Sequence, residues 1–219
     1  IIVVDEATNN QYRFGMPGTG LTVAEWNKCL HAVEEMSDVE FIIASGSLPP
    51  GVPDTIYALL AKIAKSKNAK FIVDTSGEAL KHAAAEGVYM LKPNLGELSS
   101  LAGKKEIQPS EVKTIAREII AKGNCEVIVV SMGADGAMLV TAEIAGIFKP
   151  PAVERKSTVG AGDSMVAGIV FYLAQGKDLT QSVQYGVACG TAATLNAGTE
   201  LCKKEDADRL YSLIQSAHS

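Results

Sequence analysis

Four short runs set the strongest limit on how this chain can fold: FIIAS at 41–45, KFIVD at 70–74, VYMLK at 88–92 and EVIVVS at 126–131. Each is apolar on successive positions, so neither face can be left to solvent, and each is followed by a stretch with helical periodicity. Strands of this kind alternating with amphipathic helices require a parallel sheet, built through right-handed crossovers and covered on both faces. The fold class expected is therefore α/β, a three-layer αβα sandwich with a mainly parallel sheet.

Local signals fill in the elements. Thr22 followed by Glu25 is a capping box opening a helix through about Met36, with Trp26, Leu30 and Val33 on one face. A second helix is expected from about Pro53, a third capped by Ser76 and ended by Gly87, a short one behind Asn94, and another from Ser110 to Lys122. Beyond SMGADG at 131–136 the pattern changes: AMLVTA and AGIFKPP read as a hairpin, and the remainder as helices at about 162–175, 179–196 and 203–217. At the start, IIVVD, ATNN and QYRF read as strand, turn and strand. The expected organisation is a β-hairpin within 1–18 and one α/β domain over 19–219, with no internal repeat.

Composition narrows the function. With 219 residues, 47% hydrophobic and a net charge of −5, the chain can bury a sizeable core and offers no basic surface for nucleic acid or an anionic membrane. Its longest apolar runs, such as VIVV at 127–130, are far too short to span a bilayer. Four scattered cysteines without a CxxC read as reduced thiols of a cytoplasmic protein, and Cys29 and His31, on different helix faces with no second pair, do not read as metal ligands. The chain enters directly on a strand with neither Met nor signal peptide, so a preceding segment is expected to be missing.

Ligands of open parallel sheets bind at the carboxyl ends of the strands. The polar residues at those ends are Ser45-Gly46-Ser47, Asp74, Lys92-Pro93-Asn94 and Ser131-Met132-Gly133. Further on, STVGAGDS at 157–164 places Gly160, Ala161 and Gly162 before a long apolar helix. Small residues there let backbone N–H groups of 160–163 point at one spot, where the helix adds its positive end, and such a nest binds a phosphate or a phosphoryl transition state. Asp163 reads either as a helix cap or as a carboxylate that accepts a hydroxyl proton beside that nest, the pairing a kinase requires. No GK[ST] follows, which excludes a Walker A loop, and Met165 stands where a dinucleotide fingerprint needs its third glycine.

Two further loops have double readings. In KPNLGEL at 92–98, Asn94 and Glu97 form a capping box, or an amide and carboxylate one turn apart that hold Mg²⁺ through water while Lys92 supplies positive charge. In SMGADG, the glycines make a plain hairpin turn or a loop under a nucleotide. Three such loops at one sheet edge favour a nucleotide site.

Together STVGAGDSM, KPNLGEL and VVSMGADGA resemble the signature regions of the ribokinase-like (PfkB-type) carbohydrate kinases. SGSLPPGV, IVDTSGEAL and GTAATLNAGT bring the chain nearer the branch of minor, isozyme-2 type bacterial 6-phosphofructokinases, and the resemblance covers nearly the whole sequence. It implies transfer of the γ-phosphoryl of MgATP to the 1-hydroxyl of fructose 6-phosphate. The alternatives are a tagatose-6-phosphate or fructose-1-phosphate kinase, or a truncated ATP-binding module without activity. On this resemblance Asp163 is the base and Gly160, Ala161 and Gly162 the anion hole. Lys92 and Asn94 meet ATP phosphates, Glu97 organises Mg²⁺ with Asn94, and Ser131, Gly133, Ala134, Gly136, Thr158, Val187 and Thr191 surround the nucleotide. Ser157, Val159, Ala193, Asn196 and Gly198 match positions for a monovalent cation, K⁺, and Ser47 would contact the sugar phosphate. Glu200 and Arg155 depart from the branch, which usually carries arginine and a small polar residue there. The resemblance further implies a homodimer through a β-lid, of which residues 1–18 are one part, with 19–219 the nucleotide-binding domain. The family's N-terminal sugar-binding region has no counterpart in these residues.

Overall fold

The computed structural model describes residues 2–216 apart from 6, 9 and 17. Contacts divide the chain into two compact units: Gly18–Gly133 with Ala137–Ile147, and Ile1–Pro17 with Ala134–Gly136 and Phe148–Ser219. The second begins with the expected hairpin, β1 (Ile2–Asp5) antiparallel to β2 (Asn10–Arg13), in which Val3 pairs with Tyr12.

The first unit opens with helix α1 (Val23–Glu35), whose N-terminus shows the reciprocal Thr22–Glu25 capping box. Strand β3 (Phe41–Ser45), helix α2 (Ile56–Ser66), β4 (Lys70–Asp74), α3 (Gly77–Glu86), β5 (Val88–Leu91), α4 (Leu95–Leu101), α5 (Val112–Ala121), β6 (Cys125–Ser131), β7 (Ala137–Val140) and β8 (Ala145–Phe148) follow. The sheet runs in the order β3-β4-β5-β6-β7-β8, parallel from β3 to β6 and antiparallel from β6 to β7. Because that order follows the sequence, each right-handed crossover lands on the same side, and α1 to α5 pack in series as one layer. The alternation of strands and helices does not carry this information.

Ala44, Val73, Leu91 and Ile128 form a cross-strand row that shares a core with the apolar stripes of α2 and α5. The opposite row, Ile72, Met90 and Val127, is equally buried, so the expectation that both sheet faces are covered holds. Ile43, which continues this row onto β3, is 44% exposed. One boundary and one cap differ from expectation. Helix α2 starts at Ile56, because Pro53 to Thr55 form a turn closed by Ile56 N donating to Pro53 O at 3.0 Å. Ser76 precedes α3 without a side-chain cap bond.

In the second unit, α6 (Ala161–Leu173), α7 (Leu179–Ala193) and α8 (Lys204–Ser216) pack α6 on α7 and α7 on α8. Helix α7 is buried from Ser182 to Ala193, which requires small residues where a neighbour crosses. A Cβ on Gly186 would meet Ile169 Cγ1 at 2.4 Å, and one on Gly190 would meet Ala161 O at 3.0 Å. The Gly186 and Gly190 spacing thus seats α7 against α6 right up to its first turn. Tyr172 stacks on Tyr185 at 3.8 Å, and Tyr211 meets both edge-on. Among the described residues no helix is long and apolar enough to cross a membrane.

Candidate functional site

In the first unit the carboxyl ends of four adjacent strands are tied to one another. Gly46 N donates to Asp74 O at 2.9 Å, Lys92 N to Val73 O at 3.0 Å, and Ser131 N to Pro93 O at 2.9 Å. Asn94 and Ser131 form an isolated parallel bridge. Ser47, Lys92, Asn94, Glu97, Ser131 and Gly133 are therefore carried on one sheet edge, with Ser47 exposed.

Lys92 is 5% exposed, and its Nζ lies 3.1 Å from Asp74 Oδ1. A lysine ammonium this buried needs a carboxylate partner, and the register of β4 and β5 supplies one at the end of the neighbouring strand. Asp74 was legible as a strand-end polar residue, but its pairing with Lys92 was not.

Asn94 and Glu97 realise the capping box of α4. Glu97 N donates to Asn94 Oδ1 at 2.9 Å, and Asn94 N donates to Glu97 Oε2 at 2.8 Å. The box holds an amide oxygen and a carboxylate together on the first turn of α4. Hard oxygen donors of this kind suit Mg²⁺, which keeps most of its water and takes one or two protein ligands beside substrate phosphates. No cluster of three or more His, Cys, Asp or Glu occurs among the described residues, as such a water-rich site permits. The SMGADG segment contains a 3₁₀ turn, Gly133–Asp135, and β6 and β7 pair antiparallel at Ser131 and Ala137. Gly133 and Ala134 are exposed.

In the second unit, Gly136 is buried at φ 88°, and a Cβ there would lie 2.0 Å from Phe148 O, so only glycine fits. Gly160 is the N-cap of α6 in the left-handed region, at φ 74°, with no side-chain cap. The first intrahelical bond runs from Ser164 N to Gly160 O at 2.8 Å, which leaves the preceding N–H groups directed out of the helix end. Asp163 is the third residue of the helix and exposed, so its reading as the N-cap is excluded.

Around that turn the residues matched to a cation site form one hydrogen-bonded loop pair. Ser157 Oγ donates to Gly198 O at 2.6 Å, Val159 N to Ser157 Oγ at 3.1 Å, and Asn196 N to Ala193 O at 3.2 Å. Asn196 Nδ2 donates to Leu201 O at 2.8 Å, and Leu201 lies over Gly160. Thr158 is exposed beside them, whereas Val187 and Thr191 are buried within α7, where Thr191 Oγ1 donates to Val187 O at 2.7 Å. Glu200, a departure from the resembling branch, pairs with Lys203 at 3.2 Å.

Residues 1–206 match the family of pfkB carbohydrate kinases. The ATP-dependent 6-phosphofructokinase isozyme 2 of Escherichia coli (strain K12) is 42% identical over 95% of this chain and 68% of the relative. That of Mycobacterium tuberculosis (strain CDC 1551 / Oshkosh) is 40% identical over 96% of this chain and 62% of the relative. The 1-phosphofructokinase of Rhodobacter capsulatus is 33% identical over 98% and 67%. Among solved structures, phosphofructokinase-2 from Escherichia coli in complex with potassium superposes with a TM-score of 0.92 at 41% identity, over 98% of this chain and 70% of that one. The chain thus spans 62–68% of the length of the 6-phosphofructokinases it matches.

Proposed function

Because the chain belongs to the pfkB family of carbohydrate kinases, we propose that it carries the phosphoryl-transfer machinery of an ATP-dependent 6-phosphofructokinase, acting on the 1-hydroxyl of fructose 6-phosphate. The observation that carries this reading is the first turn of α6: a left-handed Gly160 opens the helix, and an exposed carboxylate, Asp163, stands on that turn. A helix end of 13 residues facing outward through Gly160, Ala161 and Gly162 stabilises the charge that gathers on a transferring phosphoryl group. Asp163 orients the attacking hydroxyl and accepts its proton. Phosphoryl transfer has a loose transition state, so deprotonation comes late and a carboxylate suffices as base.

Lys92 meets the ATP phosphates together with Asn94. Its pairing with Asp74 keeps the ammonium fixed at the strand end instead of swinging on a four-carbon stem. Asn94 and Glu97 hold Mg²⁺ through water; when bound, the ion supplies charge neutralisation on the phosphates. Ser131, Gly133, Ala134, Gly136, Thr158, Val187 and Thr191 serve the nucleotide. The loops of Ser157, Val159, Ala193, Asn196 and Gly198 would hold K⁺, a reading supported by the potassium complex of the relative. Ser47 contacts the sugar phosphate. Residues 1–18 contribute to a lid through which two copies associate, and 19–219 bind the nucleotide.

The 33% identity to a 1-phosphofructokinase supports a second reading, with fructose 1-phosphate as acceptor. Phosphorus NMR of product formed from MgATP and fructose 6-phosphate, fructose 1-phosphate or tagatose 6-phosphate tests both. Fructose 1,6-bisphosphate formed fastest from fructose 6-phosphate supports the first; a higher kcat/KM for either other sugar replaces it. No product with any sugar would leave an ATP-binding module.

A further inference from the structure

The turn that carries Ser47 is held by two buried hydroxyls that the site as described does not use. Gly46 sits at φ 99°, and its backbone is engaged at both polar atoms. Its N–H donates to Asp74 O at 2.9 Å, while its carbonyl accepts from Thr75 Oγ1 at 2.7 Å and from Tyr57 OH at 3.2 Å. Thr75 and Tyr57 are 6% and 8% exposed and come from different places, the residue after β4 and the first turn of α2. Burial raises the Tyr57 phenol above its ordinary range, and a hydrogen bond with Thr75 opposes this, so both hydroxyls and the carbonyl form one cluster.

An exposed turn does not need such partners. Ser45, Gly46 and Ser47 are all exposed, and water would satisfy the Gly46 carbonyl at no cost. Two buried donors converging on it instead fix the plane of the Gly46–Ser47 peptide. Resting on the reading of Ser47 as a sugar-phosphate contact, we propose that Thr75 and Tyr57 are positioning residues: their hydroxyls hold the Gly46 carbonyl and so aim Ser47 at the phosphate of the sugar substrate. They set the affinity for that substrate by pre-organisation, without touching it, and leave nucleotide affinity alone.

The test titrates fructose 6-phosphate, and separately MgATP, by calorimetry into the wild-type chain and the variants Thr75→Val, Tyr57→Phe, the double variant, Thr75→Ser and Ser47→Ala, with melting temperature and Gly46 amide exchange measured on each. Each single loss is expected to weaken fructose 6-phosphate about fivefold and the double more than tenfold. Gly46 exchange should accelerate, MgATP affinity should stay within about twofold, and Thr75→Ser should restore wild-type binding. If the double variant loosens Gly46 but binds both ligands as the wild type does, the positioning role is wrong while the site stands. Equal weakening of both ligands reduces the pair to a structural role and also overturns it. If Ser47→Ala binds normally, the Ser47 reading fails and takes this inference with it.

Discussion

Replacing Asp74 by Asn should destabilise the first unit far more than its small volume change implies, because it strands a buried ammonium. Lys92 has a side-chain exposure of 6% and its partner Asp74 of 16%, at 3.1 Å. Removing one member of a buried ion pair typically costs about 3–5 kcal/mol, most of it the desolvation of the charge left behind. Asp74→Asn belongs near the lower end, about 3 kcal/mol, since an amide oxygen still accepts from Nζ. Lys92→Met should cost less, about 2 kcal/mol, because the carboxylate left behind is nearer to water. The double variant leaves no unpaired charge and should cost about 1 kcal/mol, well short of the roughly 5 kcal/mol sum, for a coupling of about 4 kcal/mol. Trp26 is the one tryptophan of the sequence and packs against the core of the same unit, so its fluorescence in urea reports the unfolding that matters. Additive losses, or an Asp74→Asn variant as stable as wild type, would show that the pair carries no coupling energy and that Lys92 is not held by Asp74.

Other perturbations separate packing from chemistry. Asp163→Asn should lower turnover of a catalytically competent enzyme by ~10²–10⁴ with MgATP binding retained, and near-normal turnover would remove Asp163 from the role of base. Gly136→Ala places a Cβ 2.0 Å from Phe148 O at a left-handed φ of 88°, so a loss of about 3 kcal/mol or more is expected in thermal unfolding. Burial pushes the Cys125 and Cys189 thiols up to about 12 from 9.0. Thiols raised in the folded state give stability fully present below 9 that is lost as pH climbs toward 12, so the melting temperature should fall across that window. A flat profile above 9 would contradict the burial of both thiols.

The strands and most helices were legible because their signals are local. Apolar runs of four to seven residues, the Thr22–Glu25 box and the Asn94–Glu97 box each announce themselves within a few positions. What is set by register or by packing between distant segments was not. The Lys92–Asp74 pair depends on β4 lying beside β5, and the hydroxyls on Gly46 O arrive from residues 11 and 29 positions away. The close approach of α7 to α6 rests on Gly186 and Gly190 lying against Ile169 and Ala161, residues from a segment that no local signal brings beside them. Asp163 shows a middle case: its residue type and neighbours gave two readings, and the position of Gly160 as N-cap removed one.

Calorimetric titration with MgATP, repeated with ATP in EDTA, decides whether this chain builds a phosphate site for the nucleotide. One nucleotide should bind per chain, about tenfold or more weakly when the metal is withdrawn, since Asn94 and Glu97 would hold Mg²⁺ beside the phosphates and the ion would neutralise their charge. A chain with native circular dichroism that binds neither form would contradict it, and would reduce Gly160 to Asp163 to the start of a helix.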